Sequence, residues 1–325
     1  LSTTGRQTRH GPAGARRYWL IWVAVAPIAL WTLVRLLGLD RGFPLVAMMA
    51  FTPYVAVAAL LVAGVAMALR NWAAAAVAGL ATLCLAAAVL PRAVGDGTAE
   101  AAGHETLSVL SANIYRGKAD PEALVALVDR YDVDLLAIQE LTPKFARQLR
   151  RAGLERRLPN AIREVRTGAS GAGLYSRLPL RRLPGDHPFF FRMPRAALRM
   201  PDGRRARVVD VHPYPPGRGN VDIWSEALES LPSAGSGAPW ILAGDFNATL
   251  DVSLLRETID RGYRDAGDVA GKGLEPTWPN AGHTLPPLIT IDHVLADRRL
   301  GIVDYEVEDV AGSDHRAIWT ELALP

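Results

Sequence analysis

Between Tyr18 and Val34 the chain carries no charge, and past Arg35 the apolar run continues to Leu39. That is about 20 residues, the length a hydrocarbon core requires. Phe43 to Leu69 is uncharged throughout, and an Ala-rich stretch from Trp72 to Leu90 follows. A helix buried in a water-soluble core shows a polar face about every 3.6 residues. These stretches show none, so the pattern predicts three transmembrane helices over residues 18–90, behind a tail at 1–17. Arg35 is expected to snorkel to the interface, and Pro27 and Pro53 to kink their helices. Trp19, Trp22, Trp31 and Trp72 are placed as interfacial anchors. A cleaved signal peptide would need a shorter apolar region and a small-residue cleavage site, and two further spans follow the first.

Beyond the third stretch the pattern changes twice. Residues 91–103 are small and polar, with Gly95, Gly97, Gly103, Asp96 and Glu100, and read as a tether of about a dozen residues. From 104 to 325, strand and helix signals mingle. Strands are predicted over 106–110, 133–138, 173–176, 206–211, 240–243, 290–295 and 317–322. Helices are predicted over 121–131, with Asp120 as cap, and over 143–151, 221–229 and 253–261.

Charge divides the chain at the same place. Up to Gly103 eight arginines face three acids, a net +5, while the remaining 222 residues hold 28 bases and 30 acids, a net −2. A nucleic-acid-coating protein carries its excess positive charge on the domain that binds, so that class loses weight. Cys84 is the only cysteine, which excludes a disulfide scaffold. Arg6, Arg9, Arg16, Arg17 and Arg70 flank one side of the predicted spans, against Arg41, offset by Asp40, and Arg92 on the other. That bias predicts a cytoplasmic N-terminus and an extracytoplasmic C-terminal domain. The chain begins with Leu, which fits an alternative start codon translated literally or missing leading residues.

The ends of the predicted strands repeat one theme. Asn113, Glu140, His212, Asp245 with Asn247, Asp292, and Asp314 with His315 each follow an apolar run. Strands that end together would gather these groups at one rim, where oxygen ligands can hold a hard divalent cation and carboxamides can meet an anion. Two histidines, four acids and two asparagines suit metal-assisted hydrolysis of a phosphate ester.

The series Ser111-Ala-Asn113, Gln139-Glu140, Val211-His212, Gly244-Asp-Phe-Asn-Ala248, Ile291-Asp292-His-Val-Leu295 and Ser313-Asp-His315 resembles the signature order of the endonuclease/exonuclease/phosphatase superfamily, over about 105–325. The resemblance implies an α/β fold, a four-layer sandwich of two packed, mostly antiparallel sheets flanked by helices, here preceded by three transmembrane helices. It also implies phosphate-ester substrates and Mg²⁺ or Mn²⁺ as cofactor. Carried over residue by residue, Glu140 and Asp314 are metal ligands. Asn113 orients Glu140 and touches metal or phosphate. Asp245 and Asn247 bind the attacking water and the phosphate, with Asp245 as base. His315, oriented by Asp292, binds phosphate and stabilises the transition state, and His212, as general acid, protonates or stabilises the leaving oxygen. His293, adjacent to Asp292, points to the other strand face by alternation and is left in a packing role. His10, His104, His187 and His283 have no supporting motif. Many members have Arg two residues before this Asp; here it is Thr290, which leaves Arg177 or Arg116 to recognise phosphate. The basic run Arg147, Arg150, Arg151, Arg156 and Arg157 is either a headgroup contact or a solvated face.

Three helices ahead of such a domain resemble the membrane-anchored teicoplanin-resistance proteins of the VanJ type. That resemblance implies hydrolysis of a polyprenyl (undecaprenyl) pyrophosphate or related lipid phosphate, with the bilayer as partner, nucleic acid disfavoured and no protein partner inferred. An extracytoplasmic nuclease or sphingomyelinase-like phosphodiesterase, and a noncatalytic lipid- or antibiotic-binding module, are the alternatives.

Overall fold

The computed structural model describes residues 19–98, 105–185, 190–200, 202–280, 286 and 288–324, and the backbone alone of 12–18. It separates into two compact units, one of residues up to 39 with 51–90, the other of 40–50 with 91–325. Ahead of residue 90 lie α1 (Pro12–Leu37), α2 (Leu45–Met48), α3 (Thr52–Ala68) and α4 (Trp72–Val89).

In the first unit α3 and α4 meet through small side chains: Ala59, Ala63 and Ala66 on one, Ala74, Ala78 and Ala81 on the other, all buried. Alanines three or four apart form a flat stripe that lets two backbones approach closely. The opposite faces carry Leu60, Leu61, Leu80 and Leu83, each more than 60 % exposed. A surface so apolar suits lipid rather than water, and the stretches Trp19–Leu37, Leu45–Ala68 and Trp72–Ala93 are long and apolar enough to cross a membrane.

Local details differ from expectation. Pro53 sits in the first turn of α3, where its missing N–H costs nothing, and the break in the second stretch is instead a 3-10 turn at Met49–Phe51. Pro27 does lie inside α1. Arg35 is covered by protein, 8 % exposed, instead of extending outward. Trp19, Trp22 and Trp72 face outward, whereas the Trp31 indole donates to Thr52 Oγ1 at 3.1 Å and so packs between helices.

The second unit contains two six-stranded sheets. Its strands are β1 (Thr106–Asn113), β2 (Leu135–Gln139), β3 (Asn160–Glu164), β4 (Ala172–Ser176), β5 (Leu180–Arg182), β6 (Arg195–Arg199), β7 (Arg205–Val211), β8 (Trp240–Asp245), β9 (Tyr263–Asp265), β10 (Asp292–Asp297), β11 (Gly301–Asp309) and β12 (Arg316–Ala323). Its further helices are α5 (Pro121–Arg130), α6 (Pro143–Arg151), α7 (Leu154–Arg157), α8 (Val221–Glu229), α9 (Ser253–Asp260) and α10 (Ala266–Val269). One sheet runs β11-β12-β1-β2-β4-β3, the other β5-β6-β7-β8-β10-β9. Only β1–β2 and β7–β8 pair in parallel; the other pairings are antiparallel. Leu107, Val109 and Leu135 from the first sheet close a core with Val208, Ile241 and Val294 from the second. Behind the first sheet, Leu124 and Val128 of α5 and Phe145 and Leu149 of α6 pack on Leu136 and Ile138. Asp120 caps α5, accepting from Glu122 N at 2.8 Å.

Residues 40–50 and 91–98 are stitched into this unit. Asp40 accepts from Ser253 N at 2.9 Å, and Arg41 pairs with Glu257. Both terminal nitrogens of Arg92 meet Asp251 at 2.8 Å, a pair 7 % and 1 % exposed. A Cβ on Gly95 would lie 2.4 Å from Val269 O, so the backbones touch there. The front of the expected tether is therefore laid down on the domain; 99–104 lie outside the described residues.

Candidate active site

Topology explains why the motif residues converge. In the parallel pairs both strands run toward the same rim, with Asn113 opposite Gln139 and Val211 opposite Gly244. The antiparallel partners start at that rim: Asp292, the first residue of β10, stands opposite Asp245, the last of β8, and His315 immediately precedes β12. The first sheet thus supplies Asn113, Glu140, Asp314 and His315, the second His212, Asp245, Asn247 and Asp292. Gly244 permits the close approach within the second sheet, since a Cβ there would lie 2.0 Å from Val211 O. Glu140 and Asn247 turn out of their strands with φ of +63° and +51°, a left-handed conformation that costs side-chain-bearing residues about 1–3 kcal/mol and recurs at functional sites.

Asp245 is the centre of the group. Its Oδ1 accepts from Asn247 N at 2.8 Å and its Oδ2 from Asn113 Nδ2 at 3.1 Å. The Nε2 atoms of His212 and His315 each stand 3.7 Å from Oδ2. His315 Nδ1 is 2.9 Å from Asp292 Oδ2. Burial opposes charge on His315, but Asp292 and then Asp245 outweigh it and push its pKa up to about 10, so the ring is an imidazolium at neutral pH. Burial also raises Asp245, against the pull of His315. Burial and then the charge of His315 hold His212 down to about 3, and its Nδ1 is buried without a hydrogen-bond partner. His212 is therefore a neutral ring in the free site, able to donate one N–H.

Two sets of groups could hold a cation. Ligand atoms of Asp245, Asp292 and His315 lie within 4.8 Å of one another, although His315 Nδ1 there already meets Asp292 Oδ2 at 2.9 Å. Glu140 and Asp314 fit better. Asp314 Oδ1 is buried with no hydrogen-bond partner. Burial raises Glu140, opposed by Arg116 N, which donates to its Oε2, and by the charge of His315, while the like charge of Asp314 adds to the rise. Two under-compensated carboxylates are the donor set of a hard divalent cation. Asn113 Nδ2 donates to Asp245 Oδ2 and its Oδ1 accepts from Tyr115 N, both at 3.1 Å.

Glu140, His212, Asp245, Asn247, Asp314 and His315 line one cavity of about 600 Å³. Arg116 lines it too, whereas Arg177 pairs with Asp132 at 3.0 Å and with Asp134, and does not reach it. Thr290 donates to Glu275 O at 2.7 Å. His293 lies on the other face of β10, bound to Asp265. Arg157 pairs with Asp129, and Arg147, Arg150, Arg151 and Arg156 are exposed. His10, His104, His187 and His283 lie outside the described residues. Supporting residues without a sequence signal are Thr277, whose Oγ1 accepts from Ile291 N at 3.1 Å and Asp292 N at 3.2 Å, and Phe191, whose ring meets His212 edge-on at 4.8 Å. Both sit in irregular segments, where no periodicity marks them. Ser313, inside the quoted tripeptide, donates to Asn113 O at 2.6 Å and ties the two motifs together.

Residues 110–315 match the Endonuclease/Exonuclease/phosphatase family. No curated protein sequence matches the chain. Among solved structures, an endonuclease/exonuclease/phosphatase from Beutenbergia cavernae is similar at 18 % identity and TM-score 0.51, over 67 % of this chain and 72 % of that one. A mannosyl-6-phosphatase of Bacteroides thetaiotaomicron is similar at 18 % identity and TM-score 0.51, over 67 % and 100 %. D. rerio TDP2 complexed with single strand DNA product is similar at 16 % identity and TM-score 0.52, over 67 % and 99 %. At such identities the likeness is one of fold.

Proposed function

This chain belongs to the endonuclease/exonuclease/phosphatase family, and we propose that it is a membrane-anchored, Mg²⁺- or Mn²⁺-dependent phosphoesterase acting on a lipid phosphate at the outer membrane face. A polyprenyl (undecaprenyl) pyrophosphate is the substrate we assign, with teicoplanin resistance as the physiological consequence. Members of the family are divalent-metal-dependent phosphoesterases and nucleases. The observation that supports hydrolysis here is the Asp245 carboxylate, held by Asn113 and Asn247 N and faced by two histidines, in one cavity with Glu140 and Asp314.

Glu140 and Asp314 would hold the cation, whose chemistry there would be to offset the charge of the phosphoryl oxygens. Asp245 accepts the proton of the attacking water. The His315 imidazolium, kept charged by Asp292, faces the phosphoryl oxygens, and neutral His212 donates an N–H to the leaving or bridging oxygen. Arg116 is the remaining cation of the cavity lining.

Membrane anchorage selects the lipid among phosphate esters, because a tethered site works at high effective concentration over the leaflet. The apolar stretches Leu45–Ala68 and Trp72–Ala93 separate residues 40–44 from 94–98, which puts both segments on one side of a membrane in this reading, and both belong to the catalytic unit. Of the bases on the outer flank, Arg41 is paired with Glu257 and Arg92 with Asp251. In the sequence Arg6, Arg9, Arg16, Arg17 and Arg70 lie on the opposite flank of the spans, a bias that favours a cytoplasmic N-terminus and an extracytoplasmic domain. A phosphate-release screen of the detergent-solubilised full chain on polyprenyl pyrophosphate, a lipid monophosphate, sphingomyelin and DNA tests the reading. Release from a lipid phosphate, lost in excess chelator, is expected; preference for DNA would overturn it.

A further inference from the structure

The catalytic cavity has two kinds of lining. Its charged groups are those described above; most of the rest is apolar and includes Phe190, Phe191, Trp278 and Ile291. Aromatic rings stand beside the catalytic histidines, Phe191 at 4.8 Å from His212 and Trp278 at 6.5 Å from His315, so the apolar lining begins where the charged cluster ends. At about 600 Å³ the cavity has the size of a site for a whole small ligand, more room than a phosphate group needs.

Three of its apolar residues, Val46, Ala47 and Ala50, come from an unexpected place. They lie in and just after α2, at the head of the 24-residue stretch Leu45–Ala68, whose mean hydropathy of 2.2 is that of a membrane span. Yet residues 40–50 fold with the catalytic unit, fastened by Asp40 to Ser253 N and by Arg41 to Glu257. A stretch apolar enough for lipid thus begins inside the cavity that holds Asp245 and His315.

Resting on the lipid-phosphate reading, we propose that Val46, Ala47 and Ala50 determine specificity: they form the wall on which the first apolar carbons of the substrate lie, next to its phosphate. The chain of a lipid phosphate has the chemistry this wall recognises, because it offers apolar surface directly bonded to the group the charged cluster binds. The small side chains of Ala47 and Ala50 leave room for it.

The test uses the full chain in detergent micelles and reads kcat/KM on a long-chain polyprenyl phosphate divided by kcat/KM on methyl phosphate. Ala47→Trp and Ala50→Trp should lower that ratio at least ~10-fold, the scale by which a filled apolar pocket discriminates. Leu80→Trp, at a position 64 % exposed and outside the cavity lining, should leave the ratio at the wild-type value. A ratio within about twofold of wild type in both tryptophan variants overturns the proposal. Should tryptophan abolish both activities, Ala47→Leu and Ala50→Leu decide by the same ratio. Failure of the underlying reading looks different: the wild-type chain then hydrolyses methyl phosphate and not the lipid, before any variant is compared.

Discussion

Two buried histidine–aspartate pairs lie on opposite faces of β10, and only one lines the cavity. Asp292 turns inward to His315 at 2.9 Å, while the next residue, His293, turns outward to Asp265 at 2.8 Å. In both, a carboxylate outweighs burial and raises the imidazole pKa. They differ at the second nitrogen. His293 Nε2 bonds Ala248 O at 2.9 Å, so both ring atoms are consumed by the fold. His315 Nε2 stands 3.7 Å from Asp245, beyond a good hydrogen bond, at the cavity surface. A buried ion pair becomes a catalytic group only when the fold leaves one of its polar atoms unspent.

The sharpest way to break that comparison is to remove each ring. His315→Gln should cut kcat for phosphate release at least ~100-fold, the usual scale of an electrostatic or acid–base group. His293→Gln should cost less than ~10-fold in kcat and act on thermal unfolding instead. Equal losses of turnover would mean that the second nitrogen does not decide. A smaller effect separates the metal set from the set around His315. Glu140→Gln and Asp314→Asn should each raise the Mg²⁺ concentration for half-maximal activity by about 10–100-fold, whereas Asp292→Asn should leave it in place; a shift in Asp292→Asn alone would reverse the assignment.

The smallest expected effect is a pH dependence. His293 has a folded pKa above its unfolded value of about 6.5. Its contribution to stability is therefore complete below that unfolded value and is lost as pH rises through the folded one. Thermal unfolding of wild type and His293→Gln should differ most near pH ~5.5, by about 2–4 °C for each kcal/mol involved, and converge in alkali. A gap that is constant across pH would show that His293 stabilises by packing alone.

The elements that bear the motifs were legible in the sequence. The predicted strands over 106–110, 206–211, 240–243 and 317–322 fall within β1, β7, β8 and β12, and the helices over 143–151 and 221–229 match α6 and α8. Strands β3, β5, β6, β9 and β11 were not. Several are short, and β11 hides its alternation: a register shift between Ile302 and Asp304 moves Val303 out of phase. Within the site, Asn113, Asp245 and His315 could be named from strand-end position and residue type. Thr277 and Phe191 could not, because irregular segments carry no period.

By itself the sequence determined the chemical inventory and the solvent preference of each stretch: acids, amides and imidazoles after apolar runs, and three stretches that leave water readily. Those properties are local, written in consecutive residues. The tertiary structure decided which groups meet, because the register between distant strands brings Asp292 opposite Asp245 and takes Arg177 to Asp132. It also decided what covers an apolar segment. Hydrophobicity measures the free energy of leaving water and is indifferent to what replaces it. Val46 and Ala47 therefore read as membrane span, and only folding placed them in the wall of the cavity.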